Sequence, residues 1–185
     1  MTPMNQPKRP VSTLLKIAPW ALGVAIMLAP LIAMQFTDQV AWTLADFAFL
    51  AVMLLGSVAA YSLAVRITPG LSFKAGVGLA LLASFALIWI NLAVGIIGNE
   101  DNPANRIFSS ILVVEIAGTL IARFRPRGMA WTMVATATTQ LAVSLILFAQ
   151  GFGATFVLTG IFMIVWLSAA WLFRRAANQA LYTQP

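Results

Sequence analysis

The chain has 185 residues, 61% of them hydrophobic and 9% charged, with eleven Lys and Arg against five Asp and Glu and a formal net charge of +6. Soluble domains carry about 45–50% apolar and about 25% charged residues, so the polar residues here are too few to cover a soluble globular enzyme, and the apolar excess is expected to face lipid. Cysteine and histidine are both absent, which excludes disulfides, thiolate chemistry, iron–sulfur clusters, histidine-held metals and histidine acid–base catalysis.

A membrane-crossing helix needs about 20 predominantly apolar residues. The sequence predicts an all-α polytopic bundle of six such spans, at residues 14–34, 44–65, 73–98, 103–123, 129–149 and 154–173, with tails at 1–13 and 174–185. The first span follows Lys8, Arg9 and Lys16, as a signal peptide would. Its apolar run from Ile17 to Met34 is longer than a signal-peptide core, and Leu31-Ile32-Ala33 lacks the small residue three back from a cleavage point, so a retained helix is expected. The second span opens near Asp46 and ends at the Thr68-Pro69-Gly70 turn. The third carries Ser84, Asn91, Gly95 and Gly98 on roughly one face.

Between the third and fourth spans, Gly98 to Arg106 is the densest polar segment of the chain. Gly98 suits a helix C-cap, Asn102 an N-cap and Pro103 a first helical turn. Glu100, Asp101, Asn102 and Asn105 also present hard oxygen ligands, but their spacing fits no EF-hand loop and no metal is expected. With Asp46 they are expected to form an acidic outer mouth. The cytoplasmic turn Arg123-Phe124-Arg125-Pro126-Arg127 sets three guanidinium groups within five residues, a pattern suited to anionic lipid headgroups or a phosphate. In the fifth span Thr132, Thr136, Gln140 and Ser144 recur every four residues and form one polar stripe, which must face the bundle interior.

Basic residues near spans stay on the cytoplasmic side. With the N-terminus inside, Lys8, Arg9, Lys16, Arg66, Lys74, Arg123, Arg125, Arg127, Arg174 and Arg175 fall inside and only Arg106 outside, ten of the eleven. Both termini are therefore expected in the cytoplasm, and the positive charge reads as orientation and headgroup attraction, with no nucleic acid as partner. Trp20, Trp131 and Trp171 lie near the inner boundary and Trp42 near the outer, as interfacial anchors. Trp89 and Trp166 lie deeper, where their N–H groups need partners.

An ionisable side chain well inside a span is a functional candidate. Glu115, twelve residues beyond Pro103 and so about 18 Å along its helix, stands near the bilayer centre. Asn91 and Gln140 reach a similar depth from neighbouring spans, and contact between Asn91 and Glu115 is expected across the third and fourth.

The run Trp89-Ile90-Asn91-Leu92-Ala93-Val94-Gly95-Ile96-Ile97-Gly98, continued to Asn105, and the segment Ala122 to Ala130 resemble a group of small bacterial inner-membrane proteins without an assigned activity. The resemblance implies a bacterial cytoplasmic membrane and no mechanism. Together these features predict a multi-pass protein, without a cofactor and without enzymatic activity, that handles an ion, proton or small polar solute at Asn91, Glu115 and Gln140. The rival expectation is a non-catalytic subunit or scaffold, and a lipid-modifying enzyme ranks third. The expected partners are the bilayer and either further copies of the chain or another membrane protein.

Overall fold

The computed structural model describes residues 24–37, 42–93, 95–98, 101–153 and 155–182. It is helical, with no strand among those residues. Six α-helices follow one another: α1 (Val24–Ala33), α2 (Leu44–Ile67), α3 (Leu71–Ala93), α4 (Ser109–Ala122), α5 (Pro126–Ala149) and α6 (Thr155–Tyr182), with a 3-10 segment, Pro103–Phe108, leading into α4. Among the described residues five helical stretches are long and apolar enough to cross a membrane, counting Pro103–Ala122 as one. The first predicted span falls largely outside the described residues; α1 is the part of it that is described.

The helices form two units, residues 1–56 and residues 57–185. In the first, α2 begins with a capping box: the Thr43 backbone N–H and hydroxyl both donate to Asp46 Oδ2, at 2.7 and 2.8 Å, while Thr43 Oγ1 accepts from the Asp46 N–H at 3.4 Å. In the second unit α6 packs on both α3 and α5, and α5 packs on α4. The consecutive helices α3 and α4 are thus held together mainly through the other two.

Two ends of this second unit can be told apart. One carries the turns after α2 and α4, joined by the Thr68 hydroxyl donating to the Phe124 carbonyl at 3.1 Å. Here α4 stops at two consecutive left-handed residues, Arg123 (φ 48°) and Phe124 (φ 57°), a conformation unusual for side chains of this size. Arg125 is extended, as a residue before proline prefers, and Pro126 opens α5. At the far end lie the α3-to-α4 connection and the Gln150–Gly153 turn.

Several boundaries differ from expectation. Helix α3 ends at Ala93 rather than at residue 98, because Gly95 takes a left-handed φ of 74° with its N–H on the Ile90 carbonyl. Gly95 and Gly98 therefore lie off the helix and do not extend its polar face. Helix α6 continues to Tyr182, past Arg174 and Arg175. At 28 residues it is about 42 Å long, longer than the hydrocarbon core of about 30 Å.

Candidate functional site

Glu115 is buried and accepts a hydrogen bond from the Ser84 hydroxyl, Oγ to Oε2 2.7 Å. The expected contact with Asn91 is not made. The reason is helix register. A Cβ built on Gly76 in α3 would stand 3.0 Å from the Phe173 ring of α6. Counting from that contact along antiparallel helices puts Ser84 level with residue 165, and Asn91 level with residue 158. On the other side, a Cβ on Gly118 of α4 would stand 2.6 Å from Thr132 Cγ2 of α5, so Glu115 is level with residue 135. Ser84 faces a carboxyl that Asn91, two turns further along α3, overshoots.

The intended single layer is therefore two tiers, about 8–10 Å apart along the helices. The near tier holds Ser84, Glu115 and Trp166. Counted in the same way, Asn91, Gln140 and Thr159 fall at the height of the far tier. The Ser144 and Thr155 hydroxyls lie 3.4 Å apart between α5 and α6, and one turn further in Gln140 and Thr159 sit at matching height.

The α5 stripe divides by chemistry. All four of its residues are buried. Thr132 and Thr136 donate to carbonyls of their own helix, on Gly128 at 3.1 Å and Thr132 at 2.9 Å, and Ser144 meets Thr155. Gln140 is 0% exposed, and neither its Oε1 nor its Nε2 has a hydrogen-bond partner. Asn91 Oδ1, Thr159 Oγ1 and Trp166 Nε1 are buried and unpartnered as well. Sequence reasoning named Trp166 as needing a partner but missed Thr159, although Thr155 and Thr159 lie one helical turn apart, a signal of the same kind as the α5 stripe.

Of the residues expected at an outer mouth, two serve the loop that carries them. Asn105 is buried: its Oδ1 accepts from the Ile96 and Ile97 N–H groups at 3.1 and 2.8 Å, and its Nδ2 donates to the Ile97 carbonyl at 3.3 Å. Its amide replaces backbone partners that the loop after Gly95 lacks. Asn102 caps the 3-10 segment by accepting from the Ala104 N–H at 3.0 Å. Asp46 belongs to the first unit and is held in its capping box. Asp101 is exposed, and Glu100 lies outside the described residues. Among the described residues no group of three acidic side chains is placed to hold a metal ion.

Arg123, Arg125 and Arg127 are all exposed on the left-handed turn. Trp131 and Trp171 are exposed near the same end, and the Arg175 guanidinium lies 5.5 Å above the Trp171 ring. No protein-family model, curated protein or solved structure matches the chain.

Proposed function

We propose that the protein is a six-span protein of the bacterial cytoplasmic membrane, with both termini cytoplasmic, that passes or binds a proton or small polar solute at the two buried tiers. The observation that carries this reading is Gln140, fully buried with an unpartnered amide, at the height of Asn91 Oδ1 and Thr159 Oγ1. A buried polar group left without a partner costs about 1–3 kcal/mol. Four such atoms in one tier would consume a large part of a typical folding stability of about 5–15 kcal/mol. A site that a ligand or water completes removes that cost, whereas a layer serving only to join helices is expected to pair its side chains with one another.

Orientation is supported by the basic residues, and the bacterial cytoplasmic membrane by the resemblance of the Trp89–Asn105 and Ala122–Ala130 segments to bacterial inner-membrane proteins. The exposed arginine turn is the surface offered to anionic headgroups, and further copies of the chain or another membrane protein would cover helix faces that lipid does not. The reading is non-enzymatic and uses no cofactor.

A second reading, a scaffold or non-catalytic subunit, is favoured by one observation: Glu115 already has a side-chain partner on another helix, as interhelical glue would. Gln140→Leu separates the two. In the site reading the variant folds and loses flux in proteoliposomes. In the scaffold reading no flux exists to lose, and the variant alters only stability or the capture of a partner.

A further inference from the structure

The far tier can be assigned a ligand class and a side of entry. Its unpartnered atoms, Asn91 Oδ1, Gln140 Oε1 and Nε2, and Thr159 Oγ1, include both donors and acceptors and no formal charge. Of the charged residues of the surrounding elements, Lys74, Arg106 and Arg127 stand at or near helix ends, Arg174 and Arg175 lie about four turns from Thr159 along α6, and Glu115 in the near tier is engaged by Ser84. An ion lodged in the far tier would have no counter-charge beside it, which is strongly unfavourable at that depth. The complementary occupant is neutral and both donates and accepts hydrogen bonds. Buried water typically makes about three hydrogen bonds, and two amides and a hydroxyl can supply them.

The two directions out of this tier differ. Toward the far end the polar groups continue: one turn on, Ser144 meets Thr155, whose hydroxyl donates to the Phe152 carbonyl at 3.2 Å in the turn joining α5 and α6. Toward the arginine turn the hydroxyls are already engaged, Ser84 with Glu115 and Thr136 and Thr132 with carbonyls of their own helix, and beyond them the packing closes at Phe73 and Phe173, whose ring centroids are 5.3 Å apart. We infer that Asn91, Gln140 and Thr159 form a binding site for a small uncharged hydrogen-bonding molecule, of which water is the smallest, entered from the far end alone. The inference rests on the reading above in taking the tiers as a site.

The test uses the absence of native cysteine. The full-length Thr159→Cys and Ala169→Cys proteins are placed in vesicles and treated with iodoacetamide, with or without a charged, membrane-impermeant thiosulfonate added first to one side. A thiol reacts as its thiolate, which a dry interior suppresses. Thr159→Cys is expected to be alkylated and to be protected by blocker on the far-end side only, while Ala169→Cys stays unmodified. Thr159→Val is the second measurement, independent of cysteine folding. It is expected to lower Tm by about 2–4 °C through loss of one hydrogen bond to the occupant.

An inert Thr159→Cys, or one protected from the arginine-turn side, overturns the inference, and so does a Tm that is unchanged or raised by Thr159→Val. The transport reading fails separately. Alkylation of Thr159→Cys in a protein without Glu115-dependent flux would leave the site and remove transport, and flux with an inert Thr159→Cys would do the opposite.

Discussion

The Ser84 hydroxyl lies 2.7 Å from Glu115 Oε2 and 2.8 Å from the Ala80 carbonyl oxygen of its own helix. One hydroxyl proton cannot serve two acceptors. If the Glu115 carboxyl carries a proton it donates to Ser84 Oγ, Ser84 donates to Ala80, and both contacts are hydrogen bonds. If the carboxyl is ionised, Ser84 turns to it and the Ala80 contact is lost. The Ser84 hydroxyl thus ties proton occupancy at Glu115 to the bridge between α3 and α4.

Removing that bridge is expected to be costly. Ser84→Ala leaves a buried carboxyl without its partner and should lower stability by about 1–3 kcal/mol. Glu115→Gln keeps a group able to meet Ser84 and should lower it less. Thermal unfolding in one detergent checks the order; a Ser84→Ala protein as stable as wild type would show that the bridge does not form.

Close packing of α4 on α5 depends on Gly118. A methyl there would meet Thr132 Cγ2 at 2.6 Å, so Gly118→Ala is expected to destabilise by about 1–3 kcal/mol through overpacking. Adding Thr132→Ala should restore most of the loss. Gly160, with nothing within 4 Å of a built Cβ, is the control, and Gly160→Ala should be neutral or slightly stabilising. Chemical or thermal denaturation of the three variants would reveal equal effects if the helix register were different.

Asn105 holds the loop between α3 and the 3-10 segment. Asn105→Ala should leave the Ile96 and Ile97 amides without acceptors, and their hydrogen exchange should accelerate well above that of the α5 core. Unchanged exchange at those two amides would refute the clamp.

How much of this was legible in the sequence follows from what each feature depends on. Apolar length alone located the helices, and four-residue spacing placed Thr132, Thr136, Gln140 and Ser144 together, because both signals are local to one helix. Glu115 stood out because a lone carboxyl in an apolar run needs no neighbour to be noticed. Its partner did not. Ser84 and Asn91 share α3, and choosing between them requires the register of α3 on α6 and of α4 on α5, set by contacts such as Gly76 with Phe173 that no single helix encodes. The place of Asn105 was hidden for a related reason. Asn105 reads as a polar mouth residue until Gly95 ends α3 early and leaves two N–H groups in need of an acceptor.

Orientation can be checked by placing a single cysteine at Asp101 and a reporter at Pro185. The basic-residue distribution predicts labelling of the cysteine from outside the cell and reporter activity in the cytoplasm. The reverse pattern would invert the bundle and place the entry side of the far tier in the cytoplasm.

The most direct measurement of the central claim is flux through the purified protein in liposomes carrying an internal pH dye, with an imposed potential or pH gradient. Wild-type protein is predicted to move protons, or a small polar solute in a proton-dependent way, and Glu115→Gln, folded and equally incorporated, is predicted to abolish the movement. Wild-type liposomes no leakier than empty ones across protons, small cations and small neutral solutes, or flux that Glu115→Gln leaves unchanged, would contradict the account.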